Sequence, residues 1–125
     1  MRARGTTLTF TVTHGPRVGG GVCLRLVGEL DMSTVGQLNE TIDRLAADGA
    51  RQLLLDLAEL TFCDSSGIAA FVRGDNRAAA EGGWLRLTGA TGRVDRVLQV
   101  TGLADVLAYQ PEMADPASQD ARLIG

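Results

Sequence analysis

The chain has 125 residues, short of the roughly 150 of an ordinary domain, so it reads as one compact unit that can bury about two-thirds of its unfolded surface. Apolar residues make up 45% and charged residues 22%, close to globular averages, which argues against wholesale disorder and against a fibre. All 12 basic residues are arginine, scattered from Arg2 to Arg122 in a chain of net charge −3. That excludes a Schiff-base or Walker lysine and leaves no basic stripe for a nucleic-acid backbone.

In chain order, residues 8 to 12 (LTFTV) and 22 to 30 (VCLRLVGEL) both alternate apolar and polar, with the turn-rich HGPRVGGG between them. This predicts a β-hairpin with a long, flexible loop. The loop lacks the Gly-Lys-Ser/Thr ending of a phosphate loop and leads into a strand, so it is read as a plain turn. After Asp31, Ser33 or Thr34 can cap a helix that carries Val35, Leu38, Ile42 and Leu45 at spacings of 3, 4 and 3 and ends at Gly49. Residues 52 to 57 (QLLLDL) form a nearly continuous apolar run, expected to be a central strand covered on both faces.

AELTFCDSSG follows, and a helical pattern resumes from Ile68 through Phe71, Val72 and the alanines 78 to 80, stopping at Gly82 and Gly83. A third unit repeats the plan: WLRLT at 84 to 88 as a strand, GATG as a turn, and a short helix marked by Val94, Val97 and Leu98 and closed by Gly102. A last short strand is expected at Val106 to Tyr109. The order β-β-α-β-α-β-α-β predicts an α/β fold: a four- to five-stranded, mostly parallel mixed sheet with an antiparallel N-terminal hairpin strand and right-handed crossover helices. The domain is placed at residues 1–110. Residues 111–125, acidic and holding two prolines, are expected to be a frayed tail with at most one short helix near Ala117 to Leu123.

The residues that chemistry could use are few. The five aromatics (Phe10, Phe62, Phe71, Trp84, Tyr109) are too scattered to offer bases a stacking platform. One histidine, His14, and two cysteines, Cys23 and Cys63, are too few for a zinc cluster or a disulfide framework, so no metal and no cofactor is expected and a reducing cytoplasm fits best. The N-terminus lacks the apolar stretch of a signal peptide and no run approaches the length of a membrane span. A hydrolase triad would have to recruit His14 from the hairpin, and CDSSG lacks the first glycine of a GxSxG elbow, so no catalytic residue is assigned.

The informative segment is Thr61 to Gly67, TFCDSSG, at a strand-to-helix junction. Asp64, Ser65 and Ser66 are three consecutive capping residues, and a cap uses only one. Two readings follow: a redundant N-cap, or a hydroxyl displayed at a helix N-terminus for modification. Gly67 costs about 1 kcal/mol relative to alanine in the first turn and is expected to leave room for an approach to the serine backbone.

VGELD at 27 to 31, LLLDLAELTFCDSSGIAAFV at 53 to 72 and VLQVTGLADVL at 97 to 107, in that order, make the span from about Leu8 to Tyr109 resemble a STAS domain of the anti-sigma factor antagonists. The resemblance implies a phosphoprotein, with Ser65 as the acceptor and Ser66 as the alternative. It also implies partner-binding residues Asp31, Asp64, Ser65, Ser66 and Gly67, with Asp31 orienting the serine or contacting the partner. Unmodified, such a protein sequesters an anti-sigma factor serine kinase and frees the sigma factor; phosphorylated, it releases the kinase, and a serine phosphatase restores it. Neither nucleic acid nor membrane is a direct partner on this reading. The rival is a STAS subunit of a membrane transporter that binds an ATPase or permease without phosphorylation. The chain departs from the family's usual pattern in IAAF after the glycine, a longer hairpin loop and Pro116 in the final segment.

Overall fold

A computed structural model of the protein describes residues 9–109. Strands β1 (Phe10–Pro16) and β2 (Val22–Leu30) are followed by α1 (Val35–Ala47), β3 (Gln52–Cys63), α2 (Ser65–Ala80), β4 (Trp84–Thr88), α3 (Gly92–Thr101) and the single turn α4 (Leu103–Val106). The sheet order is β1-β2-β3-β4, with β1 antiparallel to β2 and the remaining pairs parallel. This is the expected mixed α/β sheet. The expected tail, with its short helix near Ala117 to Leu123, lies outside the described residues, as does Leu8.

The strands β2, β3 and β4 step in one direction across the sheet, so right-handed crossovers put α1 and α2 on the same face. Burial follows that geometry. Leu53, Leu55 and Leu57 on β3 are buried and join Leu24, Leu26 and Leu30 of β2 and Leu85 and Leu87 of β4 in one cluster. Leu38, Ile42 and Leu45 of α1, Phe71 of α2 and Val94 and Leu98 of α3 close it from the other side. Leu54 faces away and is only partly buried. The expectation of a β3 covered on both faces is therefore corrected: a run of three leucines reads as doubly buried, but parallel pairing alone does not bring helices to the second face.

Three further boundaries differ from the sequence reading. β1 continues to Pro16, so the hairpin loop is only Arg17 to Gly21, and it is held in place: the Arg17 guanidinium carbon lies 5.3 Å from the Trp84 ring centre and 5.9 Å from that of Tyr109, on the open face of the sheet. β3 runs 12 residues to Cys63 instead of stopping at Leu57, because AELTF keeps pairing with β2 through two register shifts, at Arg25/Val27 and Gly28/Glu29. The last expected strand is a single parallel bridge between Leu87 and Ala108. Left-handed Gly102 (φ 82°) ends α3, and the next four residues wind into α4 instead of extending.

α2 approaches the sheet closely because the side it turns inward is made of small residues: Gly67, Ala70, Gly74 and Ala78 are all buried along with Phe71. A Cβ at position 74 would sit 2.6 Å from Leu85 Cδ1. On its outer flank Arg73 donates to both carboxylate oxygens of Asp43 on α1, at 2.9 and 3.1 Å, tying the two helices together.

Candidate functional site

The C-terminal ends of β2 and β3 lie side by side, with Leu30 paired to Cys63 and the Asp64 amide donating to the Leu30 carbonyl at 3.2 Å. Each strand then turns into a helix, so the segments Asp31–Thr34 and Asp64–Gly67 are neighbours. The sequence-predicted residues are brought together here.

The first junction is filled with its own hydrogen bonds. Asp31 Oδ1 accepts from the Ser33 amide at 2.9 Å, the Ser33 hydroxyl at 2.7 Å and the Thr34 amide at 3.2 Å. The Thr34 hydroxyl accepts from the Asp31 amide at 2.9 Å and donates to the Glu29 carbonyl at 2.8 Å. The Ser33 hydroxyl bond is the main cause holding the Asp31 carboxyl below its ordinary value; desolvation opposes it, and the backbone amides of Ser33 and Thr34 add to the lowering. One expectation changes. Neither Ser33 nor Thr34 caps α1 with its hydroxyl; Asp31 ties the turn instead, through Oδ1.

The second junction is sparsely bonded. Asp64 adopts the extended backbone of an N-cap, and its Oδ1 accepts from the Ser66 amide at 2.8 Å. α2 begins at Ser65, three residues before the apolar pattern, because a capped first turn needs no buried side chain. Ser65 is exposed and Ser66 partly so. Among the described residues neither serine hydroxyl has a hydrogen-bond partner. The cap is thus made by the carboxylate, and both hydroxyls are left over at the positive end of a 16-residue helix.

Gly67 does not do what the sequence reading assigned to it. It is buried, and a Cβ there would lie 2.6 Å from Cys63 Sγ and 2.7 Å from Leu30 Cδ2. The missing side chain makes room for the core beneath the helix, so Gly67 has nothing to present to a partner. Burial, helped by the Asp64 charge, pushes the Cys63 thiol up to about 12, so it is an inert core residue.

Sequence reasoning missed the surface next to the serine. Ser65, Ala69 and Val72 fall at i, i+4 and i+7 on the exposed side of α2, and Met32 in the neighbouring junction is 77% exposed. The spacing is available in the sequence, but an apolar residue such as Val72 does not by its type show which side of the helix is exposed. An open groove lined by Glu29, Asp31, Thr61, Phe62 and Arg93 borders the same end of the sheet.

Among the described residues this is a small α/β module, a mixed sheet with its helices on one face and an unbonded hydroxyl in the first turn of its second crossover helix. Among the described residues no group of three His, Cys, Asp or Glu could hold a metal, and no helix is long and apolar enough to cross a membrane. Residues 16–109 match the family described as Mlab, STAS domain, and the chain belongs to the STAS domain family. It is similar to the anti-sigma-B factor antagonist of Staphylococcus aureus, 30% identical over 84 residues that span 67% of this chain and 78% of the relative. Among solved structures it resembles the anti-sigma factor antagonist SpoIIAA in its unphosphorylated form, with TM-score 0.69 and 26% identity over 83% of this chain and 92% of that one. The phosphorylated form of the Bacillus cell fate determinant SpoIIAA is also similar, with TM-score 0.63 and 25% identity over 83% of this chain and 96% of the other.

Proposed function

We propose that the protein is an anti-sigma factor antagonist switched by phosphorylation of Ser65: unmodified it sequesters an anti-sigma factor serine kinase, and modified it lets go until a serine phosphatase resets it. The observation that carries this reading is that Asp64 caps α2, leaving Ser65 exposed with no bond of its own to give up. The redundant-cap reading fits less well, since a hydroxyl kept as a cap would be expected to bond the helix. The relatives' names, and the existence of a neighbour solved in a phosphorylated form, support the same reading.

The energetics favour a change in binding over a change in folding. A phosphate on Ser65 brings roughly −1.5 to −2 charge and gains about 0.3–1 kcal/mol from the helix N-terminus. Repulsion from Asp64 in water-like surroundings is of similar size, about 0.8 kcal/mol per unit pair at some 5 Å. Inside an interface, where the effective dielectric is about 20, a phosphate about 4 Å from a partner carboxylate costs about 4 kcal/mol per unit pair, close to a thousandfold in affinity. Ser65, Ala69, Val72 and Met32 form the contact surface, with Asp31 and Asp64 at its acidic end.

The test is to incubate the protein with ATP and the ATPase partner it captures, then locate phosphate by mass spectrometry. Phosphate is expected on Ser65, and Ser65→Ala is expected to stay bound to the partner in the presence of ATP. Phosphate on Ser66 in the Ser65→Ala protein would move the acceptor. Stable binding without any phosphate transfer would favour the transporter-type subunit.

A further inference from the structure

The two edges of the sheet are finished differently. At the β4 edge the chain covers its own backbone: the Leu87 amide donates to the Leu107 carbonyl at 2.8 Å and the Tyr109 amide to the Leu87 carbonyl at 3.0 Å. At the other edge β1 pairs only with β2, and among the described residues no element lies beyond it.

The register says which groups are left open. β1 and β2 pair without a bulge, Phe10 to Gly28 through Pro16 to Val22, and the Glu29 amide donates to the Thr9 carbonyl at 2.7 Å. In an antiparallel ladder alternate residues turn their amide and carbonyl to the partner. Thr9, Thr11, Thr13 and Gly15 therefore face β2, and Phe10, Val12 and His14 point theirs outward. Proteins usually blunt such an edge with charged side chains, a bulge or proline. From Thr9 to Gly15 there is no Lys, Arg, Asp or Glu; Pro16 closes only the last position.

We infer that β1 is a homodimer edge, pairing antiparallel with β1 of a second copy about a two-fold axis at Val12. That register is self-complementary. Val12 exchanges both backbone bonds with the partner's Val12, and Phe10 does so with the partner's His14. Thr11 and Thr13, on the open face, stand opposite the partner's Thr13 and Thr11, a favourable cross-strand pair. No like charges meet across the axis, so a second copy satisfies the outward amides and carbonyls of Phe10, Val12 and His14 at no electrostatic cost. Ser65 opens α2 just beyond the end of β3, two strands in from this edge, so the pairing is independent of the proposed switch and leaves the serine open.

Sedimentation equilibrium on the full chain at concentrations up to about 1 mM is expected to show a species of twice the 13.1 kDa chain mass. Hydrogen exchange at Phe10, Val12 and His14 is expected to slow as concentration rises. Thr11→Glu with Thr13→Glu places like charges directly opposite in both halves and is expected to weaken the dimer by about tenfold or more. Thr11→Arg with Thr13→Arg is expected to do the same, and mixing the two variants to restore a dimer. Should the arginine variant fold poorly beside Arg25, the glutamate variant and the Val12 amide still decide. A monomer at every concentration, a dimer indifferent to the glutamates, or a monomer whose Val12 amide is already protected by the chain's own outer segments would each overturn the inference.

Discussion

The two strand-to-helix junctions that meet at the site are built from the same residue types and use them oppositely. Between β2 and α1, one aspartate and two hydroxyl residues satisfy one another: Asp31 takes three donors, and Thr34, 4% exposed, bridges the Asp31 amide and the Glu29 carbonyl. Between β3 and α2, one aspartate makes the cap and two hydroxyls are unspent. A junction that consumes its polar groups is a rigid turn, whereas one that leaves a hydroxyl at a helix N-terminus can change state without dismantling the helix. The second junction stands on a core contact, Gly67 over Cys63 and Leu30, that supplies its rigidity from below.

The contrast breaks most severely at Gly67. Gly67→Glu must place a side chain where Cys63 Sγ and Leu30 stand, and urea titration is expected to show a loss of about 3 kcal/mol or more. A loss of only a few tenths would mean that α2 is not seated on the core at this point. The same contact has a pH signature. Because the folded Cys63 thiol is raised from 9.0 to about 12, its contribution is complete below pH 9 and is lost as pH rises toward 12. Stability is expected to fall by roughly 2 kcal/mol by about pH 10.5, in wild type but not in Cys63→Ala.

Smaller effects separate the two turns themselves. Thr34→Val keeps the shape but strips the buried hydroxyl from two backbone partners, and is expected to cost about 1–2 kcal/mol in thermal or urea melts. Asp64→Ala removes the cap and should cost about 1 kcal/mol. Ser65→Ala should shift stability by less than about 0.5 kcal/mol, since its hydroxyl holds nothing within the fold. If Ser65→Ala proved as damaging as Thr34→Val, the serine would be structural and the difference between the junctions would vanish.

Much of this was readable from residue order. Alternation in VCLRLVGEL, the 3-4-3 spacing from Val35 to Leu45 and the punctuation by Gly49 and Gly82 carried the strands and helices, because local periodicity is what those residues obey in any context. The surplus of capping residues at Asp64 to Ser66 also marked the site. Which of the three would cap was not readable: all are good caps in isolation, and the choice depends on where the Leu30–Cys63 pairing brings the backbone out of β3.

Sequence by itself determined the two hairpin strands, the three main helices, the two parallel strands between them and the mixed sheet, but not the last turn α4. Tertiary structure alone decided that, among the described residues, the helices cover one face of the sheet and leave Leu54 only partly buried in a run of leucines, since crossover handedness and strand order are set by the whole chain. It also decided that Gly67 is a core residue and not an approach path. A glycine gives the same letter whether it makes room for a ligand above or for a neighbour below, and only the seating of α2 against Cys63 and Leu30 tells the two apart.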